Sequence, residues 1–529
     1  MDEINPESAR TERTRAALGR PETYPQRPAS VEIHETHISW VFLAGERAYK
    51  LKKPLVLDFL DYGTADRRRE MCREEVRLNR RLAADLYLGV RGVRLTENGA
   101  ELTSDDDPRA ADFVVEMRRY DERDTLAARL ERGEVHAEQV RRVGPVLAAF
   151  HATARRVTAD HAPVLAAERR FEQNLHELLA DLEQRVEIER IQALERFAHA
   201  FVTAHAADFQ RRAAEGWIRE GHGDLRAEHV LVNGDVRVVD CLEFDAALRE
   251  LDVADDLAFL VFDLAARGGE RFGEVLVRAY RNAGGDPGED RLIAFYATYR
   301  ALVRAKVALL RAAQLPRTSA GHGHESAAAR DLIALAERFA WRARLPLAIA
   351  VCGAPASGKS QLSEALAKRS GFAHLSSDLT RKRLAGLKPR QRAGEETYGR
   401  EWNARTYGEL GRRAARELGA GRGAIVDATF RYRADREAFA AAFGGAGRVL
   451  FVECQAPRSV LARRAARRAG DRARVSDADV SITLREQRAW EPLEEVPAGA
   501  HITVRTDRDV EHVVGDTLAL LDRRLLELA

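Results

Sequence analysis

Near the start of the chain, apolar and polar positions alternate in short runs, HISWVFLA (38–45), RAYKLKK (47–53) and DFVVEM (112–117), and predict half-buried strands. Between the last two lies RRREMCREEVRLNRRLAADL, a charged stretch of helical composition. Residues 137–215 are helical in composition, with glycine or proline only at Gly144, Pro145 and Pro163. VLV and VRVVD then flank Asn233-Gly234-Asp235, and Asn-Gly between apolar runs is a strong hairpin signal. Helical composition resumes over about 251–341, and the pattern changes at Leu345. LPLAIAVCG reads as a buried strand. FAHLSSD, AIVDATF, RVLFVECQA and HITVRTD follow, separated by helical segments, which predicts a parallel α/β sheet. The expected organisation is a loose polar arm over 1–30, one domain over 31–340 and a second over 341–529. No internal repeat or low-complexity tract is visible.

A chain of 529 residues is too long for one hydrophobic core. With 85 basic and 83 acidic residues, its net charge of +2 supplies no bulk field to recruit nucleic acid or membrane. The N-terminus MDEINPESARTERTR lacks the apolar core of a secretory signal, and no run has the roughly 18 apolar residues of a membrane span. Cys72, Cys241, Cys352 and Cys454 lie far apart without metal-type spacing, so reduced thiols in a cytoplasmic protein are expected. Only eight of the basic residues are lysine, which singles out the cluster at 50–53 and the lone Lys359 as compact charges suited to phosphate.

Gly353-Ala-Pro-Ala-Ser-Gly358-Lys359-Ser360 fits GxxxxGK[ST] at every fixed position, with a strand before it and a helix after it. In such a loop, backbone N–H groups, including that of Ser357, turn inward around phosphate. Lys359 bridges the β- and γ-phosphates, and Ser360 reaches Mg²⁺. Asp378 and Asp427 are expected at the carboxyl edge of the sheet. There one can hold the metal's water shell and the other can accept a proton from a substrate hydroxyl, or each can cap the following helix. The arginines of RSVLARRAARRAGDRARVSDADV, Arg463 and Arg467 among them, have the character of a lid closing on phosphates, or of a solvated helix face. Residues 345–529 resemble the small P-loop kinases grouped with polynucleotide kinase, zeta toxin and gluconate kinase. That resemblance implies that Asp378 sits by the acceptor hydroxyl.

In the first half, His222-Gly223-Asp224-Leu225 precedes the hairpin whose second strand ends at Asp240. Protein-kinase-like folds hold a catalytic base and a metal aspartate in this way. Lys50 lies on a predicted strand, and Glu74 and Glu75 lie on the following helix. ETHISWVFLAGERAYKLKKPL, RLNRRLAADLYLGV, HGDL, DCLEFD, DVADDLAFL and YRALVRAK resemble the aminoglycoside phosphotransferase and choline kinase-like family, and more closely its branch fused ahead of a P-loop kinase. The resemblance implies an α+β protein-kinase-like fold before an α/β P-loop NTPase. It also implies Lys50 as phosphate anchor, Glu75 (or Glu74) as its partner, Asp224 as base, Asp240 as metal ligand and Asp252 or Asp256 as brace. Two features depart from the family. No glycine-rich loop covers the phosphates, and His229 stands where an asparagine would meet the metal. Either His229 is itself a ligand, or Glu228 or Glu243 supplies the oxygen that Mg²⁺ prefers, or a second-metal site is weak or absent, or the imidazole only orders the loop.

The expected activity is ATP- and Mg²⁺-dependent transfer of a γ-phosphate to hydroxyl groups of small molecules such as sugars or amino sugars. One alternative is a P-loop kinase regulated by a degenerate kinase-like module. Another is a nucleotide, nucleotide-sugar or nucleic-acid-end kinase, ranked lower because no basic patch interleaves with aromatics.

Overall fold

The computed structural model describes residues 6–57, 60–157, 163–180, 185–389, 391, 394–469 and 490–527. The chain divides into two compact units, Met1–Asp160 with Arg211–Gly288, and His161–Gln210 with Glu289–Ala529.

The first unit opens with helix α1 (Pro6–Leu18) and strands β1 (Val31–Glu35), β2 (Ser39–Ala44) and β3 (Arg47–Lys52). Helix α2 (Ala65–Ala83), β4 (Tyr87–Thr96), β5 (Gly99–Ser104) and β6 (Asp112–Arg118) follow. The strands form one antiparallel sheet in the order β1-β2-β3-β6-β4-β5. Side chains alternate across a strand, so β3 serves two cores. Tyr49 and Leu51 pack with Leu18, Tyr24, Phe42 and Val114. Ala48 packs on the opposite face with Cys72, Val76, Tyr87 and Phe113. The same period turns Lys50 and Lys52 toward α2.

Residues 6–24 are therefore not a loose arm. Leu18 and Tyr24 are fully buried, and they cover a sheet face that water would otherwise meet. The polar composition of the segment hid these two anchors. Strands β1, β4 and β5 also add to those expected, and among the described residues the stretch 137–215 forms four helices, in keeping with its helical composition.

The hairpin is present as β7 (Val230–Leu231) paired with β8 (Arg237–Val238). Gly234 takes φ +70° at its turn. Just past β8, Asp240 adopts φ +60°, a left-handed conformation uncommon outside glycine, which re-aims its carboxylate.

In the second unit, β9 (Leu347–Cys352), β10 (Ala373–Ser376), β11 (Ala424–Asp427), β12 (Arg448–Gln455) and β13 (His501–Arg505) pair in parallel in the order β10-β11-β9-β12-β13. Every residue of central β9 is buried, as a strand covered on both faces requires. Ile349 and Val351 face one core, and Ala348, Ala350 and Cys352 the other. Helices before residue 341 belong to this unit: Arg185–Ala204 packs on Val510–Glu527, and Trp341 joins the core of Ile349, Leu366 and Phe372. The compact units thus are not separated by one cut near 340.

Candidate active sites

In the first unit, Lys50 Nζ lies 2.9 Å from Glu75 Oε1 and 2.9 Å from Asp240 Oδ1. Burial opposes its charge, yet Asp240 and Glu75 hold the ammonium well above the ordinary lysine value. Glu74 faces Arg77 and Arg249 instead, so Glu75 is the residue opposite Lys50. The second oxygen of Glu75 accepts from Lys52 Nζ at 2.6 Å.

The loop bearing Asp224 is braced from beneath by Asp256. Its carboxylate accepts from the backbone N–H of His222 at 2.7 Å and of Gly223 at 3.0 Å, and contacts His151 Nε2 at 3.1 Å. A Cβ on Gly221 would approach Asp256 Oδ2 to 2.7 Å, so a side chain there would displace the brace. Asp252 caps the helix Val253–Ala266 and takes Arg212 through two hydrogen bonds of 2.7 Å. Asp224 itself is clamped by Arg226, with Nε at 2.9 Å and Nη2 at 2.8 Å on its two oxygens. Burial works against its ionisation, but Arg226 and the nearby His229 hold the carboxyl down at about 2. His229 Nδ1 is 2.8 Å from the carbonyl oxygen of Asp224, and Nε2 is 3.4 Å from Arg226 Nη2. The imidazole thus ties the loop to itself through both nitrogens. Glu228 pairs with Arg226 and Arg267, and Glu243 with Lys52 and Tyr62, so both carboxylates suggested as substitute ligands are engaged elsewhere. Among the described residues, no three His, Cys, Asp or Glu side chains gather closely enough to hold a metal.

In the second unit, the P-loop follows β9 and runs into helix α3 (Lys359–Ser370). Gly353 (φ +142°) and Gly358 (φ +94°) take conformations open to glycine, and a Cβ at Gly353 would sit 2.7 Å from the carbonyl oxygen of Cys454. Lys359 and Ser360 occupy the first turn of α3, where the helix N-terminus favours anions. Lys359 makes no ion pair among the described residues. Two neighbours fix the loop. Thr506 donates its hydroxyl to the Ser357 carbonyl, and Arg464 Nη2 donates to the Thr506 carbonyl at 2.6 Å.

Asp378 lies in the first turn of α4 (Ser377–Leu384), whose cap is Ser376, so it is not itself the cap. It makes no hydrogen bond among the described residues. Burial pushes its carboxyl above the ordinary value; Lys359 opposes that push and Asp427 adds to it. Asp427 ends β11, with Oδ2 4.0 Å from His374 Nε2 and a buried Oδ1 that has no hydrogen-bond partner. Ser357 Oγ is likewise buried and unpartnered. Unsatisfied oxygens beside a phosphate loop fit the ligand chemistry of a hard cation such as Mg²⁺. Of the arginines expected to form a lid, Arg463 and Arg467 are exposed on α5 (Arg458–Ala469), while Arg464 turns to the P-loop; 470–489, with Arg472 and Arg474, lie outside the described residues.

The phosphotransferase enzyme family matches residues 45–295, and an AAA domain matches residues 349–493. Uncharacterized proteins of Mycobacterium tuberculosis (strain ATCC 25618 / H37Rv) and Mycobacterium bovis are each 35% identical over 462 residues, covering 85% of this chain and 88% of theirs. The chain belongs to this two-domain phosphotransferase family. A choline/ethanolamine kinase family protein from Mesorhizobium loti is similar at 15% identity and a TM-score of 0.37, covering 61% of this chain and 95% of that one. A gluconokinase from Sinorhizobium meliloti 1021 is similar at 24% identity and a TM-score of 0.26, covering 35% and 97%. The chain joins a phosphotransferase-family domain to an AAA domain that carries the P-loop, and these domains imply use of ATP.

The structure brings Lys50, Glu75 and Asp240 together, and sets Asp224, Arg226 and His229 in one loop. It also sets Asp378, Asp427 and Lys359 within electrostatic reach of one another. Sequence reasoning missed the clamp by Arg226, the pairing of Lys52 with Glu243, Thr506 against the P-loop and His374 beside Asp427. The one visible hint was the spacing of Lys50 and Lys52, which places two lysines on the same strand face.

Proposed function

We propose that this phosphotransferase moves the γ-phosphate of ATP to a hydroxyl of a small molecule at the P-loop site, with Asp378 as proton acceptor. The observation that carries this reading is a carboxylate, raised by burial, beside Lys359, neither of them paired among the described residues. The acceptor oxygen forms a bond to the γ-phosphorus as its proton passes to Asp378. The bond from the γ-phosphorus to the β,γ-bridging oxygen breaks, and ADP leaves with that oxygen. Mg²⁺, held through Ser360 and Asp427, would offset negative charge on the phosphates. Four buried free cysteines suit a reducing, cytoplasmic setting, and no helix among the described residues is long and apolar enough to cross a membrane.

For the first unit, the same chemistry assigns Lys50 to phosphate, Asp240 to the metal and Asp224 to the acceptor hydroxyl. One observation favours a regulatory module instead: Asp224 is held by Arg226 on both oxygens, so its basicity is low in the free protein. Transfer from γ-labelled ATP to a panel of hydroxylated metabolites separates the readings. Full-length protein is used, because helices before residue 341 pack in the P-loop unit. Loss of transfer in Lys359→Ala with none left for Asp224→Ala to remove points to a regulatory first unit. Residual transfer removed by Asp224→Ala makes both sites catalytic. Undiminished transfer in the doubly substituted protein would sink both.

A further inference from the structure

Lys50 and Lys52 lie on the same face of β3 but in different surroundings. Lys50 is 16% exposed and reaches Asp240, whereas Lys52 is fully buried. Lys52 Nζ contacts Glu75 Oε2 at 2.6 Å and pairs with Glu243, and it sits 4.9 Å over the Tyr62 ring. Tyr62 donates its hydroxyl to Glu243 at 2.5 Å. Burial opposes the charge on Lys52, yet Glu243 and Glu75 hold its amine well above the ordinary lysine value. Lys52 therefore stays cationic.

Around these two ammonium groups stand three carboxylates, Glu75, Asp240 and Glu243. If Lys52 were absent, all three would compete for Lys50, in a low-dielectric site where each pairing is strong. A lysine held so firmly cannot exchange a carboxylate for a phosphate oxygen. Lys52 also joins three chain segments: β3, helix α2 through Glu75, and the stretch after β8 through Glu243, three residues beyond Asp240. Beyond Tyr62 the contacts continue outward. The Tyr62 carbonyl accepts from Arg68 at 2.9 Å, and Arg68 pairs with Asp112, which also takes the Thr11 hydroxyl of α1 at 3.0 Å.

We propose that Lys52 is a positioning residue: by neutralising Glu243 and sharing Glu75, it sets the place of α2 and loosens the hold of the carboxylates on Lys50, so that Lys50 can take a nucleotide phosphate. The proposal rests on the reading that Lys50 binds nucleotide. It does not make Lys52 a phosphate ligand.

The test uses full-length protein carrying Lys359→Ala, so that ATP titration calorimetry reports the first site, together with hydrogen exchange along Ala65–Ala83. Lys52→Met is expected to weaken ATP binding about tenfold, the loss of one charge-assisted contact, and to raise exchange in α2. Lys52→Met/Glu243→Gln, which removes the pair as a neutral unit, is expected to recover most of both. Lys50→Met is expected to weaken ATP binding at least as much while leaving α2 protected through Lys52. Unchanged binding and exchange in Lys52→Met would overturn the proposal. So would abolished binding without recovery in the double variant, which would make Lys52 the phosphate anchor. If Lys52→Met does not fold, Glu243→Gln decides: affinity within about threefold of the parent supports the proposal, and a tenfold loss overturns it. Should the parent bind no ATP at this site, the nucleotide reading fails by itself. The exchange of α2 in Lys52→Met and the double variant then still decides the role of Lys52.

Discussion

The two candidate bases of this chain sit in opposite electrostatic settings. Asp224 is held on both oxygens by Arg226, and its carboxyl is drawn down to about 2. Asp378 has no such partner among the described residues, and burial with Asp427 nearby lifts it above the ordinary value. A carboxylate that is to take a proton from a hydroxyl gains from a raised pKa and loses from a strong ion pair. Resting geometry therefore favours the P-loop half as the working transferase. The first half reaches the same state only if Arg226 releases Asp224, which a bound phosphate can bring about by competing for the guanidinium.

The broadest break between the halves comes from Lys359→Ala. It removes the one side-chain ammonium of the phosphate loop, and turnover at the P-loop site is expected to fall by about 10³-fold or more. Turnover measured with the first site silenced by Asp224→Ala checks this. An unchanged rate would mean that the loop is not a working site.

Asp378→Asn comes next, and it has two consequences of opposite sign. Transfer at the P-loop site is expected to drop about 10²-fold, as for loss of a general base, with ATP affinity largely kept. Stability is expected to rise at neutral pH. The folded pKa lies above the unfolded value of about 3.9, so between the two the folded state binds more protons, and stability falls as pH increases through that window. An asparagine carries no such penalty. Thermal melts at pH 4 and pH 8 should show the variant gaining only at the higher pH. In the parent, transfer should fall on the acid side as Asp378 protonates above the usual carboxylate range. Equal collapse of ATP affinity would instead exchange the roles of Asp378 and Asp427.

Arg226→Gln sharpens the comparison from the other side. Loss of the paired guanidinium is expected to cost about 2 kcal/mol of stability at neutral pH. In the parent, Asp224 contributes stability above the unfolded value of about 3.9, lost as pH falls toward 2. In the variant that acid-side slope should shrink, and the carboxyl should titrate higher than in the parent, because burial then loses its main opponent while His229 and His222 still pull the value down. Carboxyl NMR titration reads this directly. A carboxyl still titrating near 2 would show that Arg226 does not govern Asp224.

Sequence made the two sites legible unequally, and the reason is locality. The P-loop is eight consecutive residues, and its strand, helix and glycine conformations follow from near neighbours. Lys50, Glu75, Asp224 and Asp240 are suggested only by order and spacing along a resembling family. What stayed hidden depends on pairs distant in sequence, such as Lys52 with Glu243 across 191 positions and Arg68 with Asp112 across 44. A buried charge and a solvated one look alike in a chain that is 32% charged. The same blindness affected the helix Arg185–Ala204. An amphipathic stripe announces that something covers it, not that the cover is the helix Val510–Glu527. On α5, Arg463 and Arg464 differ by one step of helical phase, and only the fold tells which one faces the P-loop.

The smallest effect is expected from His229→Asn, and it bears on whether the first half keeps a metal-facing loop. His229 Nδ1 lies 2.8 Å from the Asp224 carbonyl, a distance and direction that an asparagine amide nitrogen can also serve as donor. The other nitrogen faces Arg226 at 3.4 Å, a contact that the shorter asparagine gives up. The substitution thus keeps the loop's contact to the Asp224 carbonyl and adds an oxygen of the type Mg²⁺ prefers. Stability should change by less than about 1 kcal/mol, the scale of one neutral hydrogen bond, and any transfer by the first half in Mg²⁺ should stay within about threefold or rise. A marked loss in Mg²⁺, with the parent more active in Mn²⁺, would show instead that the imidazole meets the metal. Arg226 would then have to leave both Asp224 and His229 when nucleotide binds, and the clamp seen in the free protein would be a resting state of a working site.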